Sequence, residues 1–550
     1  MSNRLKKTQK PENKYCFPVL LQNDTRFILG LLTCIYMAVI IVVLPLYNTG
    51  SYLQIGSEKQ QFFIKFLQTF QKFLLPFLLL YIILYLYNNR AALRTQKLSL
   101  SAIRSSFSVT DLFVLGYMVA VLLSFLASDY RETAVIGNAK WSMGTLTQLS
   151  LAVGYFLISR FWRKRLWMAG LMLPVSAVIF VLGYFNRFGI WPIPMEYGEN
   201  PQFISLMGNI NWYCGYLVTI LFGAVYVAWS HPFSQNRKQM LLNCYLFTGF
   251  CALVTNGSSS GILTMLVILL ILLFMSVSEK EKLLHYFEIV LILGLSCLFT
   301  YGIRLLFPNA ITYQETSNNL FTYTPLPAVI TLLALAGFMM LKLYCRRHVY
   351  PARTLRTLAK ILFVSVLLAV VLFICLLTAN TLDPGCIGPL SEFSAFTFSP
   401  EWGSRRGATW TAGASVWMEL PFWKKFVGVG PDCMGDYLLY DVSDSLKTML
   451  TTLWPDLNLS NAHCEWLTVL VNLGLMGLIA FAGIIISSVS SFLRRGMDQS
   501  QPYHSVIGAC GLAVLAYSVH NIFSFQQVLN EPAMFVILGI GAAYSRNVDC

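Results

Sequence analysis

The chain has 550 residues, of which 56% are hydrophobic and only 12% are charged, and its net charge is +14. Soluble globular proteins carry roughly one quarter charged residues, so the composition excludes a soluble enzyme or a disordered chain and predicts a membrane protein. Basic proteins often bind nucleic acid, but these cations lie in short connections between apolar runs, where they act as orientation signals. We therefore expect a lipid bilayer partner and no nucleic-acid partner.

Apolar stretches follow one another along almost the whole chain. Each is close to the length of one membrane crossing, roughly 20 residues. They cover residues 27–47, 66–88, 109–128, 144–161, 167–185, 211–229, 239–255, 261–278, 285–303, 327–344, 360–379, 466–491, 505–523 and 532–546. The sequence therefore predicts an all-α polytopic membrane protein with about 14 transmembrane helices.

The distribution of Lys and Arg residues predicts the orientation of these helices. Every second connection is basic, and those connections include Arg26, Arg163 and Arg546. The positive-inside rule places these connections in the cytoplasm. The expected organisation is a basic cytoplasmic tail at 1–26, helices 1–11 within 27–379, an outer segment at 380–465 and helices 12–14 within 466–546. Both termini should then be cytoplasmic, in a multi-pass plasma-membrane protein.

The segment 380–465, called the outer segment below, is the one long connection. Loops of this length are usually functional or disordered, and its many tryptophans argue against disorder. Helical patterns occur near 408–420 and 434–454. We expect the outer segment to pack on the membrane surface as a lid.

Two adjacent arginines of the outer segment, Arg405 and Arg406, are candidates for an anion site. Each guanidinium is a planar fork that matches phosphate oxygens, so a pyrophosphate is a plausible ligand. The alternative is that both arginines lie on a solvated face and pair with the carboxylates of the same segment.

His463 ends the outer segment and is a candidate general base, because an imidazole titrates near neutral pH. Glu465 is a weaker candidate. The alternative for His463 is an interfacial residue at a helix start. Earlier in the chain, Asn209 and Asn211 could hydrogen-bond sugar hydroxyls or phosphate, as could the Ser/Gly turn at 257–261. These residues could equally be ordinary caps and turns.

The cysteines show no zinc-ligand spacing, so we expect no metal and no cofactor. Cys386, Cys433 and Cys464 fall on the predicted outer face. A disulfide between Cys386 and Cys433 stays an open alternative, because spacing does not establish a pairing.

In their order along the chain, these motifs resemble those of the O-antigen ligase and O-antigen polymerase superfamily. The matching motifs are Gly208-Asn209-x-Asn211, the Ser/Gly turn at 257–261, Arg406 four residues before Trp410, Pro421 followed by Gly-x-Gly-Pro at 428–431, and His463 followed by Gly474-x-x-Gly477. The similarity extends over about residues 109–545 and is carried by the ordered set and not by one motif.

The resemblance implies a C-type glycosyltransferase that assembles cell-surface polysaccharide in the cell envelope. Such an enzyme transfers a glycan from a polyprenyl-pyrophosphate carrier such as undecaprenyl pyrophosphate to an acceptor hydroxyl, without a metal and with inversion. Arg406, helped by Arg405, would neutralise the leaving pyrophosphate, and His463 would accept the proton. Glu465, Asn209 and Asn211 would bind substrate.

Two departures from the family pattern affect these roles. The Ser/Gly turn of the family commonly carries an arginine that this chain lacks, so its role would pass to Arg405, Arg406 or another arginine such as Arg131 or Arg187. The residue after the histidine is Cys464, where ligases usually have a small amide or hydroxyl residue.

Other functions stay open. A polymerase of the same superfamily has the same motifs, and the sequence does not separate it from a ligase. A lipid-linked oligosaccharide flippase or another transporter also fits the number of helices. Transporters, however, place ionisable residues near mid-membrane, and the apolar runs contain few.

Overall fold

A computed structural model describes residues 17–90, 107–196, 200, 202–231, 237–308, 316–453 and 459–546. The structure is about 78% helical with almost no strand. Within the described ranges, 10 helices are long and apolar enough to cross a membrane. The protein is therefore an all-α polytopic membrane protein. The first 16 residues of the expected tail lie outside the described ranges.

The predicted apolar runs coincide with helices because a backbone in lipid must satisfy its own hydrogen bonds. The ten candidate spans are Pro18–Leu46, Ile55–Asn88, Val109–Ala127, Leu166–Arg187, Ile210–Ser230, Ser259–Ser276, Lys280–Leu306, Leu326–Arg347, Ala352–Leu382 and Glu465–Met497. Four further helices match the other runs: Thr145–Phe161, Arg237–Thr255, His504–His520 and Glu531–Ser545.

The first helix begins earlier than the sequence indicates. It begins at Phe17 instead of residue 27, so the second part of the expected tail is helical. Pro18 suits this first turn, because the missing N–H of proline would be unsatisfied there anyway. The helix continues through a π-helical turn, Val39–Val43, into the short helix Leu44–Leu46.

The helix Ile210–Ser230 lies near the centre of the bundle, and 78% of its apolar 18-residue stretch is buried. It packs against His504–His520, which packs in turn against Glu465–Met497. The apolar 18-residue stretch of Ala352–Leu382 is not covered by other parts of the protein, as expected for a helix that faces lipid. Before the central helix, Phe203–Ile204 pairs antiparallel with Gly208–Asn209, with Phe203 opposite Asn209.

The outer segment is folded around a hydrophobic cluster that includes Val416, Met434 and Leu446 and to which Ala134 and Val471 also contribute. Its elements are the 3-10 turns Gly388–Glu392 and Ser394–Phe396 and the helices Trp402–Glu419, Lys424–Val427, Met434–Tyr440 and Asp444–Leu453. The pattern at 434–454 therefore forms two helices instead of one. Ser443 separates them, and its hydroxyl accepts a hydrogen bond from the backbone of Leu446 at 3.4 Å, as at a helix cap.

The three cysteines of the predicted outer face are free thiols. Cys386 is exposed, whereas Cys433 and Cys464 are buried. The alternative of a disulfide between Cys386 and Cys433 is therefore not realised in this structure.

Candidate active site

Two glycine motifs join the outer segment to the helix Glu465–Met497. That helix is interrupted at Gly474, whose φ of 67° is left-handed, and the interruption breaks the regular backbone hydrogen bonding there. The carbonyls of Val471 and Asn472 instead accept hydrogen bonds from the Gly-x-Gly-Pro motif at 428–431, at 3.1 and 3.0 Å. The two motifs thereby fix the outer segment against the membrane-spanning bundle.

Arg406 begins the regular part of the helix Trp402–Glu419, directly after three residues in the left-handed conformation. Its Nε and Nη2 donate to the carbonyl oxygen of Phe523 at 3.0 and 2.8 Å. Its Nη1 donates to the carbonyl oxygen of Gly403 at 2.8 Å. A single guanidinium thus holds the outer segment against the connection between the last two helices.

His463 lies at the same connection. Its ring packs edge-on against Phe525, with 5.0 Å between the ring centroids, and Phe525 also packs against Trp141 at 4.4 Å. The backbone φ of His463 is 49°, and its N–H donates to Asn461 Oδ1 at 2.9 Å. Among the described residues, no side-chain hydrogen bond engages its imidazole, so the ring nitrogens are available to a ligand.

The protonation of His463 depends on its surroundings. Burial and, to a lesser extent, the positive charge of Arg406 together lower the pKa of the imidazole to about 4. The ring is therefore neutral at pH 7, which is the form that accepts a proton. An anion bound at Arg406 would offset that charge and raise the proton affinity of the imidazole.

Asn211 belongs to a chain of hydrogen bonds at the start of the central helix. Its Oδ1 accepts from Ser258 Oγ at 2.8 Å, and Ser258 Oγ lies 2.8 Å from Ser260 Oγ. Asn209 caps that helix, because its Oδ1 accepts from the backbone N–H of Asn211 at 2.9 Å. The thiol of Cys214 contacts both serines and lies within electrostatic range of Arg406. The Ser/Gly turn and Asn211 therefore contact each other at the start of the central helix, while Asn209 acts as a cap.

The other candidate arginines differ in their exposure and in the groups that they contact. Arg405 has a side chain that is 65% exposed and forms an ion pair with Glu401 at 3.4 Å. Arg131 is exposed and donates to the carbonyl oxygen of Leu126 at 2.7 Å. Arg187 is fully buried and donates to the carbonyl oxygen of Asn256, at the start of the Ser/Gly turn. Arg187 is therefore the arginine that stands beside this turn.

Glu465 is buried behind the site, and protein groups engage both of its carboxylate oxygens. Oε1 accepts from Tyr517 Oη at 3.2 Å, and Oε2 accepts from Asn521 Nδ2. The backbone N–H of Glu465 also donates to the carbonyl oxygen of Asn521 at 2.9 Å. This geometry favours a role in positioning the connection after Tyr517 over direct contact with substrate.

That connection, residues 520–531, is called the polar turn below, and the sequence reasoning missed it. Its buried polar side chains are those of His520, Asn521, Ser524, Gln526, Gln527, Asn530 and Glu531. In six of these seven residues, all but Asn521, at least one side-chain polar atom has no hydrogen-bond partner among the residues that the structure describes. Buried polar groups are nearly always satisfied, so this concentration indicates a hydrated or ligand-binding pocket. The sequence does contain a signal for this site, because amide and carboxyl residues lie between the last two apolar runs.

The central helix approaches the polar turn closely at Gly215. A Cβ at this position would lie 2.5 Å from Asn530 Nδ2 and 3.2 Å from His520 Cε1. Because any larger residue would collide with the turn, glycine permits the contact. Gly215 lies one helical turn after Asn211, so the contact joins the asparagine and serine chain to the polar turn.

Asp432 supplies a further carboxylate near the site. Its Oδ2 accepts backbone hydrogen bonds from Asn138 and Met143 at 2.7 and 3.0 Å. Burial raises the pKa of this carboxyl to about 7, although the two hydrogen bonds act in the opposite direction. Asp432 also lies within electrostatic range of Glu531 in the polar turn.

The described residues include no group of three or more His, Cys, Asp or Glu side chains that could hold a metal ion. No protein-family model matches this chain, and a search of curated proteins also finds no match. Function is therefore inferred from the chemistry of the residues that meet at the polar turn.

Proposed function

We propose that this protein is a membrane glycosyltransferase that moves a glycan from a polyprenyl-pyrophosphate carrier to an acceptor hydroxyl, as an O-antigen ligase does. In this proposal about 14 helices cross the membrane, both termini are cytoplasmic, and the outer segment lies on the extracytoplasmic face. Its role would be the assembly of cell-surface polysaccharide.

The observation that carries the proposal is the meeting of Arg406 and His463 at the polar turn. Arg406 contacts Phe523, and His463 contacts Phe525, two residues further along the same turn. The sequence resemblance assigns the leaving pyrophosphate to the first residue and the acceptor proton to the second. A cation and a neutral imidazole held at one pocket support that division of work.

The proposed step is a direct displacement. The acceptor oxygen forms a bond to the anomeric carbon of the donor glycan while the bond from that carbon to the pyrophosphate oxygen breaks. The acceptor proton passes to His463, which is neutral before the step. The polyprenyl pyrophosphate leaves with the electron pair of the broken bond, and Arg406 stabilises its negative charge. Displacement from the opposite face inverts the anomeric configuration.

The unpaired groups of the polar turn support a sugar substrate. Gln526, Gln527 and Asn530 each present a donor and an acceptor that have no partner in the described part of the chain. Amides pair through such groups with sugar hydroxyls. Tight burial adds specificity, because an analogue that lacks a hydroxyl leaves a buried polar group unpaired.

The first experiment is a size profile of lipid-linked and surface glycans in the native cell, with and without the gene. Long chains that accumulate on the carrier would support a ligase, and single repeat units on the carrier would support a polymerase. Complementation with Arg406→Ala or His463→Ala should fail to restore the normal profile at normal membrane abundance.

Two matched controls accompany these variants. Arg405→Ala removes the neighbouring, exposed arginine, and His348→Ala removes an exposed histidine whose ring stacks on Tyr344. Both should complement fully. Unchanged glycan profiles in the deletion strain, or full activity of Arg406→Ala, would refute the proposed function or that residue's role, respectively.

A further inference from the structure

A cavity of about 790 Å³ lies away from the polar turn. It is enclosed by the beginning of the first helix, the ends of the helices Ile55–Asn88 and Thr145–Phe161, and the end of Glu531–Ser545. Five cations line it: Arg26, Arg160, Arg163, Lys164 and Arg546. Ligand pockets typically measure about 300–1,000 Å³, so the cavity can hold a lipid headgroup.

The positive charge of this cavity is only partly offset. Asp111, which is fully buried, pairs with Arg160 at 3.2 Å and with Arg546 at 2.6 Å. The described side chains that line the cavity include no aspartate or glutamate. One carboxylate therefore fixes two of the five cations in place, and a net positive charge faces the cavity.

Arg26 and Arg163 are the cations that the protein leaves open. Among the described residues, neither guanidinium has a hydrogen-bond or ion-pair partner, and both side chains are exposed. Arg163 lies over the ring of Phe27, with 4.6 Å between its Cζ and the ring centroid. This contact orients the guanidinium and leaves its N–H donors for a ligand.

Aromatic rings form the remaining wall. Phe27, Tyr81 and Tyr85 line the cavity near the ends of apolar helices, and Phe27 is 52% exposed. Aromatic side chains in this position are typical of the boundary between headgroups and acyl chains. A ligand here meets cations at one end and an apolar surface at the other.

We propose that this cavity binds the phosphate headgroup of an anionic phospholipid, at the membrane face that the charge distribution predicts to be cytoplasmic. Basic pockets between transmembrane helices bind such headgroups through their cations. The open guanidiniums of Arg26 and Arg163 would hold the phosphate, while Arg160 and Arg546 supply fixed positive charge. The acyl chains would lie along the aromatic wall. This site is independent of the proposed transferase activity.

The test is thermal unfolding of the full-length protein in detergent during titration with phosphatidylglycerol, phosphatidylcholine or glycerol 3-phosphate. Phosphatidylglycerol should stabilise the protein, and the other two should not. The double variant Arg26→Gln/Arg163→Gln removes two charges, each of which contributes about 1 kcal/mol to lipid binding. Because about 1.36 kcal/mol changes an affinity tenfold, its apparent affinity should be roughly thirtyfold weaker.

The matched control is Arg353→Gln/Arg356→Gln, which removes two exposed arginines from the start of the helix Ala352–Leu382, at the same predicted face. It should bind phosphatidylglycerol as the unmodified protein does. If the double variant unfolds without lipid, the single variants carry the test, and each should lose roughly fivefold. The proposal would be overturned if phosphatidylcholine or glycerol 3-phosphate stabilised the protein as much as phosphatidylglycerol does. It would also be overturned if the two double variants lost apparent affinity equally.

Discussion

Replacement of Arg406 by lysine separates the shape of this side chain from its charge. Lysine keeps the positive charge but presents a single ammonium group in place of the planar fork. In the structure, two nitrogens of Arg406 donate to the carbonyl oxygen of Phe523, and a third donates to that of Gly403. The ammonium of a lysine cannot reproduce the paired contact with Phe523.

The size of the effect follows from the contacts that are lost. A hydrogen bond from a charged donor contributes roughly 1.5–3 kcal/mol, and the two bonds to Phe523 share one acceptor, so their joint contribution is below twice that value. A loss of about 2–4 kcal/mol corresponds, at about 1.36 kcal/mol per decade, to a decrease in kcat/KM of roughly thirtyfold to a thousandfold.

The assay is transfer of glycan from a purified polyprenyl-pyrophosphate donor by the reconstituted protein. Arg405→Lys is the matched control, because the ion pair of Arg405 is exposed and such pairs contribute little. It should stay within about twofold of the unmodified enzyme. Arg406→Lys with near-normal kcat/KM, or an equal loss in Arg405→Lys, would refute the reasoning.

Three further predictions concern protons and packing. Burial and the Arg406 charge lower the pKa of His463 to about 4, so activity should stay constant through neutral pH and fall only in acid. In the variant Arg406→Ala, the pKa of the His463 imidazole, measured by NMR, should rise. The folded pKa of Asp432 is raised to about 7, so its contribution to the free energy of unfolding is lost as pH rises through 7. The unfolding midpoint should fall over that range, and Asp432→Asn should remove the decline. Gly215→Ala places a Cβ 2.5 Å from an amide of the polar turn. At about 1–3 kcal/mol of overpacking, it should lower transfer roughly fivefold to 150-fold.

Each of these predictions has an outcome that would contradict it. An acid limb near pH 6.5 would show that His463 has its ordinary pKa and is not buried as described. An unfolding midpoint that rises with pH in the unmodified protein but not in Asp432→Asn would reverse the sign expected for a raised carboxyl pKa. For the glycine, Gly223→Ala is the control, because its Cβ would lie 3.5 Å from its nearest neighbour; equal losses in both variants would exclude a specific contact with the polar turn.

The helices were predictable because membrane spans are encoded locally. Each apolar run satisfies its own backbone, so composition and length were enough to locate helices such as Val109–Ala127 within a residue or two. The boundary at Phe17 was not predictable from hydropathy, because the polar run at 22–26 separates the first residues of that helix from its long apolar part. The break at Gly474 was also missed, because glycine alone does not reveal that another segment supplies hydrogen bonds there.

The candidate site was predictable only in part. Arg406 and His463 were named from residue type and motif order, and both lie at the polar turn. Arg405 and Glu465, which lie close to them in the sequence, are also ionisable, yet one lies on the surface and the other is buried behind the site. Residue type and spacing do not distinguish these positions, because successive residues of a helix point in directions about 100° apart.

The sequence by itself determined the class of the protein, the positions of its helices and the residues with suitable chemistry, because each depends on composition or local pattern. Only the tertiary structure decided which residues meet. The polar turn joins Arg406, His463 and the Ser/Gly turn across large sequence separations, and the basic cavity joins Arg26 and Arg163 to Arg546 near the end of the chain. Such meetings result from the packing of whole helices, which no local pattern encodes.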